Sequence, residues 1–350
     1  MTLAPDARRP ASPAKPISPS SPVPTRRDQA PRLRLEYVLP LRWSDDAGLA
    51  DLTRYLRWLA RHVEVTVVDG SPPALFARHA AHWRGYVRHL RPDPTLRFAN
   101  GKVSGVTTGL RLARHERVVI ADDDVRYDVA GLRALHRLLG AADLVRPQNY
   151  FRPLPWHARW DTGRTLLNRC VGADYPGTFG IRRSTFLAMG GYDGDVLFEN
   201  LELIRTVRAY GGRELIATGL YVRRLPPDAR RFWAQRVRQA YDDLAQPARL
   251  ALFLTVLPAM AGALIRGRRR ELAIAAAGVV GLAELGRRRA SGTDVYPFAA
   301  ALLAPVWVLE RGVCSWLALA ARWFRGGVWY AGRRLRVAAH RPNELSRRWR

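Results

Sequence analysis

The sequence predicts an α/β fold on a mostly parallel sheet, followed by apolar helices associated with a membrane. Three observations predict it. From residue 33 short apolar strands alternate with amphipathic helices, the signature of strand–helix–strand units. Acidic or glycine-rich punctuation stands at strand ends, where such sheets bind ligands. After residue 248 the alternation gives way to apolar runs of about 13 to 16 residues. With 350 residues and 48 % apolar content, the chain can bury a sizeable core.

The elements follow in order. Residues 1–31 are rich in Pro, Ser and Ala without apolar periodicity, which predicts a disordered tail. It has no secretory apolar core, so the chain is expected to start and stay on the cytoplasmic side. Leu35–Leu39 reads as a strand ending at Pro40. Leu49–His62 has helical spacing, with Leu52, Leu56 and Leu59 on one face. Val63–Val68 is a strand closed by Asp69-Gly70-Ser71-Pro72. Ala74–Leu90 is expected as a helix, Thr95–Phe98 as a short strand and Val103–Ala113 as a helix. Arg117–Ala121 is a buried strand running into Asp122-Asp123-Asp124. Leu132–Leu139 reads as helix and Ala142–Pro147 as strand. The aromatic, Pro-broken stretch Asn149–Asp161 reads as a loop over the sheet.

The apolar runs are Leu250–Ile265, Leu272–Leu285, Val295–Leu309 and Gly312–Phe324, the longest spanning about 24 Å of helix against the roughly 30 Å of a hydrocarbon core. Slightly extended spans, re-entrant hairpins, interfacial helices and helices packed on the α/β domain remain open. Trp307, Trp316, Trp323, Trp329 and Tyr330 would supply a headgroup-level aromatic belt. The domains are thus 1–31 tail, 32–243 catalytic domain, 248–330 apolar helices and 331–350 basic tail.

The formal charge of +27 does not by itself mean nucleic acid. From Arg266 onward there are 17 arginines against five acids, clustered at Arg266–Arg270, Arg287–Arg289 and Arg347–Arg350 between apolar runs. That arrangement suits an anionic membrane surface and argues against a nucleic-acid partner. The two cysteines, Cys170 and Cys314, lie far apart, which excludes a disulfide scaffold or a cysteine zinc site. His79, His82 and His89 fall on one expected helix without an H-E-x-x-H pattern and read as structural or solvated.

Chemistry concentrates at Asp122-Asp123-Asp124. Three carboxylates at a buried strand end repel one another and resist desolvation, so a hard divalent cation with oxygen ligands is the natural compensation. Asn100-Gly101-Lys102 opens a helix rich in small residues, where a cation and exposed N–H groups could face a diphosphate.

These motifs come in a telling order: a strand with Pro40, Val-Val-Asp69-Gly-Ser71, Gly101-Lys102, Asp122-x-Asp124, Gly177-Thr-Phe-Gly-Ile-Arg-Arg183 and Gly190-Gly191-Tyr192-Asp193. Over roughly residues 33–240 the chain resembles the family 2 glycosyltransferases, which have the Rossmann-like GT-A fold. The resemblance implies a metal-dependent, inverting transfer of a sugar from a nucleotide-sugar donor. It implies that Asp69 holds the nucleobase, that Lys102 and Asp123 belong to the donor site, that Asp122 faces the ribose, and that Asp122 and Asp124 bind Mg²⁺ or Mn²⁺.

The sequence departs from that pattern at the catalytic base. The family's Glu-Asp pair reads Glu199-Asn200 here, and the neutral Asn200 amide can orient an acceptor hydroxyl but cannot accept its proton at useful pH. Glu199 is the expected base, with Asp195 or Asp193 as substitutes. Glu202, one turn on, could support Glu199. Gln235-Arg236-Val237-Arg238-Gln239 resembles the Gln-x-x-Arg-Trp signature of membrane-bound synthases, which makes Gln235 and Arg238 donor-site candidates without the final tryptophan. The same stretch also reads as a membrane-surface helix. Tyr150, Trp156 and Trp160 are candidate acceptor contacts. The expected acceptor is lipid-linked or another glycan near the membrane. A sugar nucleotidyltransferase is the second enzymatic reading, although Leu39–Trp43 stands where its Gly-rich loop belongs; a donor- or lipid-binding scaffold is the third, motivated by Asn200.

Overall fold

A computed structural model describes residues 31–330 and 332–349, and residues 1–30 of the expected tail lie outside them. Eight strands form one mixed sheet: β1 (Leu35–Leu41), β2 (Glu64–Asp69), β3 (Arg88–Leu90), β4 (Arg117–Ala121), β5 (Val125–Arg126), β6 (Leu144–Phe151), β7 (Thr178–Arg182) and β8 (Glu214–Arg224). Their spatial order is β3-β2-β1-β4-β7-β6-β8-β5. The β3-β2-β1-β4 half is parallel, as is β6 on β8, whereas β7 runs antiparallel to both its neighbours and β5 to β8.

Alternation along β1 explains the layering. Leu35, Tyr37, Leu39 and Leu41 pack with the helix Leu49–Leu59 on one face. Val38, Val118 and Ile120 pack with the helix Gly101–Leu112 on the other. That second helix lies so close to β1 that a Cβ on Gly109 would stand 2.3 Å from Val38 Cγ1.

Three expected elements differ. The helix expected over Ala74–Leu90 ends at Trp83; Gly85, at φ +89°, turns the chain and Arg88–Leu90 becomes the edge strand. Thr95–Phe98 forms no strand, because the Asp93 side chain accepts hydrogen bonds from Thr95 N and Oγ1 and turns the backbone. β6 continues past Pro147 to Phe151, with a register shift between Arg146 and Gln148 that accommodates the missing N–H. The expected loop Asn149–Asp161 is therefore the end of β6 plus the start of a helix, Trp156–Val171.

The apolar runs form helices Pro247–Ile265, Arg269–Arg288, Phe298–Leu302 and Ala304–Phe324, the last joining parts of two runs. They pack on the α/β unit: Leu166 meets Ala283, Tyr296, Ala300, Ala301 and Ala304 in one buried cluster. Among the described residues one helix, Pro247–Ile265 (mean hydropathy 1.9), is long and apolar enough to cross a membrane. Helix Ala304–Phe324 carries charges inward instead. Arg311 pairs with Asp243 at 2.8 Å and Glu310 with Arg236.

The expected aromatic belt is split. Trp316, Trp323 and Trp329 are exposed, but Trp307 is buried against Phe253. The last segment docks rather than trailing. Val328–Tyr330 and Arg333–Leu335 form a hairpin, and His340 donates from its backbone N (2.8 Å) to buried Glu202, with Nδ1 also 2.9 Å from it.

Candidate active site

β4 delivers its acidic tip to a cleft of about 720 Å³, lined among others by Lys102, Asp122, Asp123, Asp124, Glu199 and Arg224. Four buried apolar residues, Val118–Ala121, fix the strand, and Asp122 N donates to Gly177 O (2.9 Å) across β7. Asn100 caps the helix Gly101–Leu112 by accepting from Lys102 N, so the helix N-terminus and the Lys102 side chain both point to the cleft.

Lys102 Nζ sits 2.7 Å from Asp122 Oδ1 and 2.6 Å from Glu199 Oε1. On the opposite side Arg224 Nε lies 2.9 Å from both oxygens of Asp124, and Nη2 lies 3.3 Å from Asp122 Oδ2. Arg224 reaches this point because Val125 of β5 pairs with Arg224 of β8. Gly177 makes room, since a Cβ there would stand 2.7 Å from Asp122 Oδ2 and 2.9 Å from Arg224 Cζ. Asp123 accepts from Trp43 Nε1 and borders a second hollow of about 340 Å³ that shares Asp124, Arg224 and Arg231 with the cleft.

The electrostatics follow from burial and charge balance. Burial opposes ionisation of Asp122, but Lys102 and Arg224 hold its carboxyl below the usual carboxylate range. Asp124 lies above that range: burial raises it and Asp122 and Asp123 add to the effect, with only Arg224 opposing. Burial works against the charge on Lys102, yet Asp122 and Glu199 hold its pKa well above normal. Asp122 and Asp124 thus set carboxylate oxygens close together at the strand tip, ligands of the kind a hard divalent ion takes. Arg42, Arg231 and Arg238 also line the cleft and make no ion pair among the described residues.

The helix Ala229–Tyr241 divides its side chains by face. Gln235, Arg238 and Gln239 line the cleft, and the Arg238 guanidinium lies 5.2 Å over the Tyr330 ring. Arg236 points the other way, buried between Asp161 and Glu310. Trp329 and Tyr330 line the cleft as well, brought there by the C-terminal hairpin.

Other sequence candidates stand elsewhere. Asp69 is fully buried off the cleft, accepting from Ser71 N and lying 2.7 Å from His79 Nδ1 and 2.9 Å from His89 Nε2. Burial would raise its pKa, but the contacts with His89, Ser71 and His79 hold it far below the usual range. The donor atoms of Asp69, His79 and His89 lie within 4.8 Å of one another, a spacing that could also hold a metal ion. His89 comes from β3, not from the helix of His79. Asp195 is exposed and accepts from Ala99 N, steadying the approach to Lys102. Asn200 lines the cleft, but its amide donates to Pro176 O. Tyr150, Trp156 and Trp160 are not among the cleft residues. Tyr150 packs on the cluster beneath the C-terminal helices, and the two tryptophans meet Phe232 and Trp233 edge-on.

No protein-family model matches the chain, and no curated protein matches it. Among solved structures the fold is similar to the mannosyltransferase PcManGT from Pyrobaculum calidifontis in complex with GDP-Man and Mn²⁺, at 20 % identity over 83 % of this chain and 88 % of that one, TM-score 0.49. It is also similar to TarS from S. aureus in complex with UDP-GlcNAc, at 14 % identity over 57 % of this chain and 60 % of that one, TM-score 0.38. A third is glucosyl-3-phosphoglycerate synthase from Mycobacterium tuberculosis in complex with Mn²⁺, UDP and phosphoglyceric acid, at 17 % identity over 59 % of this chain and 76 % of that one, TM-score 0.41.

Proposed function

We propose that the chain is a glycosyltransferase that moves a sugar from a nucleotide-sugar donor to an acceptor at a membrane. The observation that carries this reading is the meeting of Asp122, Asp124, Lys102 and Glu199 in one cleft. Asp122 and Asp124, carboxylates two positions apart at one strand end, fit Mg²⁺ or Mn²⁺ as oxygen ligands, and the ion would share Asp124 with Arg224. A bound divalent ion would offset the charge that builds on the departing nucleoside diphosphate.

The chain's own residues do the rest. Lys102, the helix N-terminus behind it and the free guanidinium groups of Arg231 and Arg238 cradle the diphosphate. Glu199 holds Lys102 in place through their 2.6 Å contact. The acceptor hydroxyl attacks the sugar carbon from the side opposite the diphosphate, with inversion. The strand-tip carboxylates serve the sugar nucleotidyltransferase reading equally; the chain still lacks a Gly-rich loop after β1, where Leu39–Trp43 stands.

A lipid-linked acceptor is supported by the outer surface of the C-terminal helices. Leu252, Leu264 and Ile265 are exposed on the helix that runs into the basic stretch Arg266–Arg270, and Trp316, Trp323 and Phe324 are exposed on the helix Ala304–Phe324. The chain should float with vesicles containing anionic lipid and lose that binding in high salt. Remaining in the aqueous fraction with every vesicle would remove the membrane from the account.

For the reaction, purified protein with Mn²⁺ should release nucleoside diphosphate from at least one member of a nucleotide-sugar panel. That release should fall at least a hundredfold in Asp124→Asn. Release of pyrophosphate from a nucleoside triphosphate plus sugar phosphate would favour the nucleotidyltransferase instead.

A further inference from the structure

Resting on the glycosyltransferase reading above, we propose that Asp242 is the general base that takes the proton from the attacking hydroxyl. Asp242 begins a short turn, Asp242–Ala245, directly after the helix that carries Gln235 and Arg238, and it lines the same cleft as Glu199. Its Oδ1 is buried and has no hydrogen-bond partner among the described residues. A buried acceptor atom left unpaired is costly, and in a ligand cleft it marks a place for a donor such as a hydroxyl.

The other carboxyl groups nearby are committed. Glu199 gives Oε1 to Lys102 and Oε2 to the Asn200 backbone N–H. Asp243 is held by Arg311 and Arg249. Asn200 cannot accept a proton and donates to Pro176 O.

The surroundings also tune Asp242. Burial raises its pKa, Arg311 from the helix Ala304–Phe324 and Arg238 from its own helix oppose that, and Asp243 and Glu199 add to it. The carboxyl is pushed up to about 8. A base with a pKa near working pH accepts a proton most effectively in the transition state.

The step balances without a further reactant. The hydroxyl O–H bond breaks and its proton passes to the Asp242 carboxylate. The oxygen bonds to the sugar's anomeric carbon, and the carbon–oxygen bond to the diphosphate breaks with its electron pair leaving on the nucleoside diphosphate.

The test uses the full chain with Mn²⁺, GDP-mannose and UDP-glucose as donors, and water as acceptor. Nucleoside diphosphate release is measured from pH 5.5 to 9.5, and donor affinity by calorimetry. Wild-type kcat should rise tenfold per pH unit on the acid side and level near pH 8. Asp242→Asn should lower kcat at least a hundredfold, keep donor affinity within twofold and lose the acid limb, whereas Glu199→Gln should keep that limb. Asp242→Asn retaining a third or more of the rate, or keeping the limb, overturns the proposal. Loss of donor binding in Asp242→Asn overturns it too, by placing the residue in the donor site. If the wild-type chain turns over no member of the nucleotide-sugar panel, the glycosyltransferase reading fails and this one with it.

Discussion

Arg224 closes over Asp124 from a strand a hundred positions away in the chain, its Nε 2.9 Å from both carboxylate oxygens. A cation is thereby built into the acidic tip of β4. Removing it leaves Asp124 without an ion pair among the described residues and Asp122 paired with Lys102. Arg224→Ala should cost about 2 kcal/mol in metal-free buffer, the direction expected when one member of a largely buried ion pair is deleted. Mn²⁺ should restore more stability to the variant than it adds to the wild-type chain. Thermal melts with EDTA and with Mn²⁺ check this, and equal metal-induced shifts in both proteins would count against it.

Gly177 is the neighbour that lets this pair form. Gly177→Ala would drive a methyl group to within 3 Å of both Asp122 and Arg224. The chain should lose about 1–3 kcal/mol by overpacking, and nucleoside diphosphate affinity should fall at least tenfold by calorimetry. Unchanged affinity would mean that the Asp122–Arg224 geometry does not shape the donor site.

Asp69 sets a pH dependence of stability. Its folded-state pKa lies below its unfolded value, so the stabilisation is present above about pH 4 and is lost as pH falls below that. Asp69→Asn should cost about 2 kcal/mol at pH 7, with the gap to wild type narrowing as pH drops from 4 to 3. Urea midpoints across that window test it. A constant gap would contradict the assignment.

Much of this arrangement is legible in the sequence, and the remainder has identifiable causes. β1, β2 and β4 stand out because buried apolar runs meet acidic punctuation, and Lys102, Asp122, Asp124, Glu199, Gln235 and Arg238 lie at one cleft. β3 was hidden because Arg88–Leu90 is short, half-buried and polar. Arg224 gave no local signal; only the pairing of β5 with β8 brings it to Asp124. Its position at a strand end before Leu225-Pro226-Pro227 was the one available hint. Trp329 and Tyr330 read as headgroup aromatics because spacing cannot reveal a hairpin that folds back onto Arg238. Tyr150, Trp156 and Trp160 read as part of a loop over the sheet because proline signals masked a strand end and a helix start.

His340 ties the C-terminal segment to the helix that begins with Glu199. Glu202 is fully buried and accepts from the His340 backbone N–H, with Nδ1 also within hydrogen-bond distance. His340→Ala removes the side-chain partner and should cost about 1–2 kcal/mol. The segment's backbone bonds to Leu197 and Phe198 should loosen with it. Hydrogen exchange at those two amides should speed up. Unchanged exchange together with unchanged stability would show that the contact holds nothing in place.

Manganese binding followed by electron paramagnetic resonance tests the central claim most directly. With a nucleoside diphosphate present, the wild-type chain should take up one Mn²⁺ at the β4 tip, and Asp124→Asn should abolish that uptake while leaving the fold intact. A free Mn²⁺ signal that neither the nucleotide nor the substitution alters would contradict the account.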